Sequence, residues 1–239
     1  MNTKELLERY FSNFDNKLLN SYILKKFYVY LDEIKKYNNI LNLTSIRADK
    51  EIIVKHFIDS IYILKHNNIS HCETLLDVGS GAGFPGIPIS IIFPKMKLTL
   101  LESNNNKILF LRHIIRKLNL RNIDILNDRA EIIAKIDKYR EKFDFCTIRA
   151  FLNFNISLEI TSSFIKNHGL ICFYVSQNQV NKIVVDQTIF KVLGMNIDYI
   201  HNYELPDNYG MHSIIFVKKL WKTPDIYPRI FKKIKKNPL

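Results

Sequence analysis

Residues 74–86 read TLLDVGSGAGFPG, and no other stretch of the chain is as well suited to holding a ligand. An apolar run carrying Asp77 leads into Gly79, Gly81 and Gly83, and Ile87, Ile89, Ile91 and Ile92 follow as a helix-compatible segment. Strand, glycine turn and helix in that order bring backbone without Cβ atoms to the carboxyl end of a strand, where open α/β folds take up their ligands. Gly81, Gly83 and Gly86 satisfy GxGxxG literally. The frame is wrong for a pyrophosphate, because Gly79 is the glycine that follows the strand and position 84 is Phe. A P-loop lacks its Lys and Ser/Thr after the glycines, and Ser80 stands too close to Gly79 for GxSxG. Pro85 fits only as the residue that opens the helix.

Two acids narrow the ligand. Asp77 before the turn suits a positively charged ligand better than a phosphate, and Glu102 at the end of the next strand suits the hydroxyls of an unphosphorylated ribose. Strand, DxGxGxG, strand and acid is the arrangement of class I methyltransferases that use S-adenosylmethionine. A glycine turn and strand-end acid kept for packing alone is the alternative. His56, Asp59 and Ser60 lie close together on one helix, but neighbouring helical positions do not aim a nucleophile at an oxyanion site, so a hydrolytic triad is not expected. A polar cluster joining the N-terminal helices to the sheet is the expectation, and a substrate contact is the second choice. The histidines show neither HExxH nor HxH spacing, so no metal is expected.

The elements that must position these residues follow from periodicity. Residues 1–68 read as helical, with Leu24, Phe27, Leu31 and Ile34 on one 3.6-residue face and Ile53, Phe57, Ile61 and Leu64 on another after a cap at Asp49. Strands are expected at 74–78, 97–103, 122–126, 143–148 and 170–175, and helices near 86–92, 105–118, 130–137, 155–167 and 178–193. That alternation predicts an α/β fold with a doubly wound, mostly parallel sheet, and the DxGxGxG turn with its strand-end acid makes the expected type that of the class I methyltransferases (Rossmann-like). Residues 196–205 and 212–220 flank the turn PDNYGM and predict a terminal antiparallel pair giving the sheet a reversed edge strand. The organisation expected is an N-terminal helical extension (1–68), a methyltransferase domain (69–220) and a basic C-terminal tail (221–239).

A hydrophobic content of 47% in 239 residues supplies a sizeable core. Cys72, Cys146 and Cys172 are scattered without CxxC spacing, which predicts reduced thiols. The N-terminus lacks an apolar leader and no run of apolar residues is long enough to span a bilayer, so a soluble cytoplasmic protein with no membrane association is expected. The net charge of +12 favours a polyanionic partner, unless a coding bias toward Lys, Asn and Ile accounts for it. Residues 218–239 hold eight Lys or Arg against the single acid Asp225.

NLTSIR (42–47), HFIDS (56–60), DVGSGAGFPGIP (77–88), LLES (100–103), RAE (129–131), RAF (149–151) and the basic tail after YPR together resemble the RsmG (GidB) methyltransferases, colinearly from about residue 25 to 239. That family methylates N7 of a guanosine in 16S, small-subunit ribosomal RNA. The resemblance implies S-adenosylmethionine as cofactor and ribosomal RNA or an assembling subunit as partner, and no stable protein partner is inferred from it. It implies that Gly79, Gly81 and Phe84 line the cofactor site, that Glu102 meets the ribose, and that Ala130 and Glu131 sit beside the adenine. Arg149 would lie near the methionine portion or position the target base, with Phe84 or Phe151 as stacking partners for that base. Many family members carry a Lys after the fifth strand, whereas Ser176 and Gln177 stand here. The alternatives are a ribosomal RNA-binding protein without catalysis, or a methyltransferase acting on protein or a small molecule.

Overall fold

The computed structural model describes residues 2–12, 14, 20–65, 69, 72–150, 152–184 and 188–239. Its centre is a seven-stranded sheet of β1 (Thr74–Val78), β2 (Lys97–Leu101), β3 (Ile123–Leu126), β4 (Phe143–Arg149), β5 (Ile165–Ser176), β6 (Met195–Glu204) and β7 (Met211–Lys219), ordered β3-β2-β1-β4-β5-β7-β6. β1 to β5 are parallel, and β7 runs antiparallel to both its neighbours. The antiparallel pair is present, but the reversed strand is not at the edge. β7 lies between β5 and β6, and Ile214, Ile215, Phe216 and Val217 are all fully buried because an interior strand is covered on both faces. That unbroken apolar run, beside the polar interruptions of NIDYIHNYE in β6, is the signal that distinguishes inner from outer strand.

One face of the sheet carries α1 (Thr3–Phe11), α2 (Ser21–Leu41), α3 (Asp49–Ile52), α4 (Asp59–Ile61), α5 (Gly86–Ile92) and α6 (Asn105–Lys117). The other carries α7 (Ala130–Ile133), α8 (Phe154–Thr161), α9 (Gln177–Val184), α10 (Thr188–Leu193) and α11 (Phe231–Lys236). Leu75, Phe145, Ile214 and Phe216 point into the first layer, while Leu76, Cys146, Ile215 and Val217 point into the second, as the two-residue period of a strand requires. The N-terminal helices share one core with the sheet through Phe27, Tyr30, Phe57 and Ile61. α5 is buried on every side because it lies between the sheet and those helices. Among the described residues, no helix is long and apolar enough to cross a membrane.

Several boundaries differ from expectation. Asp49 does not cap its helix but begins it, with Ala48 at the cap. Its carboxylate instead accepts from Thr3 Oγ1 at 2.8 Å and pairs with Lys35 Nζ at 2.7 Å, tying three helices together. Between α3 and α4 the backbone is π-helical over Ile53–Ile58. α8 stops at Thr161 because the hydroxyls of Thr161, Ser162 and Ser163 donate back to carbonyls of their own helix, and β5 therefore begins at Ile165. α7 ends at Ile133, and the segment expected as one helix over 178–193 is described as α9 and α10. Pro85 precedes α5 as its cap, where a proline is tolerated.

The C-terminal tail is anchored. Arg229 donates from its backbone N, Nε and Nη2 to the Glu159 carboxylate at 2.9, 2.8 and 2.6 Å, and Glu159 is fully buried. Ile234 is also fully buried, which leaves Lys232, Lys233, Lys235 and Lys236 turned to solvent. Asn155, near the start of α8, donates to the Leu239 carbonyl at 2.6 Å. Replacing Arg229 by Met leaves the Glu159 charge buried without its guanidinium, and chemical denaturation should register a loss of about 3–5 kcal/mol.

Candidate functional site

The glycine turn is held from above and below by two carboxylates. Gly79 N and Ser80 N both donate to Leu101 O at the end of β2, at 2.8 and 3.3 Å, which brings the turn against the start of the next loop. Glu102 follows β2 and closes that junction: its Oε2 accepts from Gly81 N and its Oε1 from Asn104 N, each at 2.8 Å. Each carboxylate oxygen keeps a further lone pair. Gly81 adopts φ +59°, and a Cβ built there meets nothing nearer than Gly79 O at 3.9 Å, so its outer side is open. Below the turn, Asp77 Oδ1 accepts from Thr147 Oγ1 at 2.8 Å and its Oδ2 from Gly86 N at 3.2 Å. A Cβ on Gly86 would lie 2.8 Å from that Oδ2 and 2.9 Å from Leu100 Cδ2, which is why glycine stands there.

Asp77 is fully buried, and the expectation that its charge faces a ligand does not hold. It ties β1 to β4 and to the first residue of α5. Burial pushes its carboxyl up to about 6, against the pull of Thr147, Ser80, Gly86 and Arg149. Ala130 and Glu131 open α7 just beyond β3, with the Glu131 side chain 3.6 Å from Arg129 Nη1. Gly79, Gly81, Glu102, Ala130 and Glu131 thus all follow the carboxyl ends of β1, β2 and β3. That is the edge where the strand order of an open α/β sheet leaves a ligand crevice.

Arg149 is the last residue of β4, and its guanidinium is gripped by the helical segment from the N-terminal layer. Nη1 donates to Lys55 O at 3.1 Å and to Asp59 Oδ2 at 3.0 Å, while Nη2 lies 3.2 Å from His56 Nδ1. The π-helical backbone is what permits the first contact. Asp59 N donates to Val54 O and His56 O, bypassing the Lys55 carbonyl that an α-helix would have used. Because a guanidinium only donates, His56 Nδ1 must accept, and the ring proton resides on Nε2. Nε2–H then donates to Thr44 Oγ1 at 2.9 Å, and that oxygen also accepts from Ile46 N at 3.2 Å. Burial, reinforced by Arg149, pushes His56 down to about 3, so the imidazole is neutral.

Asp59 collects donors from three strands. Besides Arg149 on β4, its Oδ1 accepts from Tyr203 of β6 at 2.7 Å and from His212 Nδ1 of β7 at 3.1 Å. Burial alone would raise its pKa, but the His212 and Tyr203 hydrogen bonds and the Arg149 charge outweigh burial and hold the carboxyl below the ordinary value. Ser60 donates to the His56 carbonyl of its own helix and is fully buried, so it is no nucleophile. The polar cluster anticipated at residues 56–60 therefore exists and joins the N-terminal helices to the sheet. Sequence reasoning missed Tyr203 and His212, which face each other in the β6–β7 register. A His and a Tyr on either side of one hairpin turn were the available signal.

Phe84 serves this cluster from beneath. His56 stacks on it at 4.6 Å and 18°, Tyr30 at 5.3 Å and 23°, and the Arg149 guanidinium carbon lies 5.2 Å from its ring centroid. With both faces taken and 5% of the residue exposed, Phe84 has no ring surface for stacking on a base, contrary to expectation. Phe151 lies outside the described residues. Beside Arg149, a cleft of about 410 Å³ opens at the ends of β4 and β5, bordered among others by Lys55, His56, Asp59, Ser176, Gln179 and His212. A larger cavity of about 770 Å³ between α1 and α2 borders none of these residues.

The family model described as GidB, rRNA small subunit methyltransferase G, matches residues 23–207. A ribosomal RNA small subunit methyltransferase G of Thermoanaerobacter sp. (strain X514) is 37% identical over 221 residues, 92% of each chain. Another of that name, from Acetivibrio thermocellus, is 39% identical over 220 residues, 90% of this chain and 88% of its own. Among solved structures, a SAM-dependent methyltransferase from Methanosarcina mazei matches with a TM-score of 0.52 at 16% identity, over 68% of this chain and 99% of that one. At that identity the likeness concerns the fold alone.

The buried pair of titrating groups sets a pH signature. His56 binds a proton in the unfolded chain at its ordinary 6.5 but resists it to about 3 when folded, so its contribution is present above pH 6.5 and is lost as pH falls toward 3. Asp77 acts oppositely: its folded value near 6 exceeds the ordinary 3.8, so its contribution is present below 3.8 and is lost as pH rises through 6. His56→Gln keeps an acceptor for Arg149 without titrating. Relative to wild type, that variant should gain stability as pH falls from 6.5 to 4, read from paired thermal unfolding curves.

Proposed function

The chain belongs to the rRNA small subunit methyltransferase G family, and from that premise we propose that it moves the methyl group of S-adenosylmethionine to N7 of a guanosine in small-subunit ribosomal RNA. The observation that carries this reading is the pinned Arg149 guanidinium, which borders the 410 Å³ cleft and lies 5.2 Å from the ring of Phe84, the residue after Gly83 in the turn. The residues present suit the cofactor. The open side of Gly81 admits a ligand against the backbone, and Glu102 retains lone pairs for ribose hydroxyls beyond the two amides it already holds. We assign Gly79, Gly81, Phe84 and Glu102 to its ribose and methionine portions, with Arg149 beside the methionine, and Ala130 and Glu131 to its adenine; Phe84 also supports Arg149 from below.

S-adenosylmethionine supplies a methyl group already activated on a sulfonium, so the protein's task is alignment. Guanine N7 has a free lone pair at neutral pH, so no general base is required. Arg149 acts as a donor to the guanine O6 beside N7, its position held by Asp59, His56 and the Lys55 carbonyl. Such a preorganised donor needs no reorganisation during reaction. Lys55 borders the cleft with its Nζ paired to Glu51 at 2.6 Å, in a chain that has Ser176 at the end of β5 and Gln177 at the start of α9. The anchored tail meets Asn155, next to the cleft residue Phe154, and its exposed lysines suit a phosphate backbone. Ribosomal RNA as substrate implies work in the cytoplasm.

Incubation with methyl-labelled S-adenosylmethionine and naked small-subunit RNA, assembled subunits or protein should place label in RNA, at guanosine N7 by mass spectrometry. Label in protein alone would refute the substrate assignment. Arg149→Ala should lower kcat/KM by about a hundredfold or more, as loss of a preorganised donor does. Glu102→Ala should weaken cofactor binding in calorimetric titration. Wild-type turnover in the Arg149 variant would remove that residue from the mechanism.

A further inference from the structure

Asp59 holds two groups at one end of the sheet, Arg149 through Oδ2 and His212 through Oδ1. Both border the 410 Å³ cleft, and the His212 side chain is 30% exposed. An ionised carboxylate only accepts, so His212 carries its proton on Nδ1, and Nε2 is the nitrogen left for the cleft. In the neutral ring that nitrogen is an acceptor. Arg149 offers the opposite. Of its five N–H groups, three are engaged by Lys55, Asp59 and His56 within the described residues, which leaves donors for a ligand. One carboxylate therefore presents a donor and an acceptor side by side.

We propose that His212 is a base-reading residue: its Nε2 accepts the guanine N1–H while Arg149 donates to the adjacent O6. The inference rests on the guanosine reading given above and names what recognises the base. O6 and N1–H are neighbours on guanine, an acceptor beside a donor, which matches the Arg149–His212 pair. Adenine reverses both positions, with an amino donor where O6 stands and a bare acceptor at N1, so both contacts become repulsive. N7 stays untouched by either side chain, as a nucleophile must.

The pair also suits the reaction's charge. When N7 forms its new bond to carbon, the positive charge lost by the sulfonium appears on the base, and no proton leaves it. N1–H becomes a stronger donor as that charge grows, so an acceptor at His212 holds the base more tightly as the reaction advances. A second cation at this position would oppose it. Of the two neutral tautomers of His212, the Asp59 contact selects the one with its proton on Nδ1 and Nε2 as the acceptor, which makes Asp59 a positioning residue for both readers.

The test compares His212→Phe, which keeps a ring without an acceptor, and His212→Gln, which restores one. With labelled S-adenosylmethionine and assembled small subunits, the Phe variant should lose about ten- to a hundredfold in kcat/KM, the scale of a base-edge contact, and the Gln variant should recover most of it. Both should bind the cofactor as wild type does in calorimetry, and thermal unfolding reports whether either is misfolded. Subunits reconstituted with inosine at the methylated position keep O6 and N1–H and should be methylated within a fewfold of guanosine. 2-Aminopurine there, which lacks both, should be methylated poorly by wild type, and the gap should shrink in the Phe variant. Activity of the Phe variant within threefold of wild type, or a Gln variant no better than Phe, overturns the role of His212 while leaving the function standing. Absence of label on RNA with wild type itself overturns both.

Discussion

Burying the charge of Asp59 carries a desolvation penalty that only well-placed donors offset, and those donors come from β4, β6 and β7 while the acid itself sits on a helix of the N-terminal layer. A helix, a central strand and a C-terminal hairpin, distant in sequence from one another, are thereby required to meet at one point. The meeting point lies at the carboxyl edge of the sheet, beside the glycine turn. Removing any one donor would leave a buried anion less compensated, so the geometry of Arg149 is coupled to the whole assembly. Tyr174 extends the junction by donating to Ser60 O at 2.9 Å.

The glycine turn depends on the same economy of polar groups. Asp77 fixes it from below through Thr147 and Gly86, and Glu102 fixes it from above through Gly81 and Asn104. The two acids have separate tasks that their surroundings assign. Asp77 has no access to solvent and works as a strap, while Glu102 keeps lone pairs at the crevice. Phe84, which follows the last turn glycine, inserts between Tyr30, Phe57 and His56 and so links the turn to the N-terminal layer. The N-terminal helices are in this sense part of the site.

Periodicity revealed the parallel strands, the glycine turn and the strand-end acid because each is a local pattern: alternating burial, positive φ at glycine, and a carboxylate at a fixed step after a strand. It failed where distant contacts decide. Asp49 resembled a helix cap and became a tether between helices, since Thr3 and Lys35 reached it first. The helix expected to run to 167 ended early because hydroxyls of 161–163 compete with the helix ladder. β7 moved inside the sheet because four consecutive apolar residues are better covered between two strands than at an edge.

The amino-acid order alone determined the class of fold, the position of the glycine turn, and Arg149 and Glu102 as residues to watch, because glycine spacing and strand-end acids act over a few residues. It also carried the motifs that the family shares. Only the tertiary structure decided that Asp77 faces inward, that Phe84 is covered on both faces, and that Tyr203 and His212 join Arg149 on one carboxylate. The physical reason is range. A turn or a period is written in neighbouring residues, whereas the partners of a buried charge are chosen by whichever donors the fold brings within about 3 Å of it.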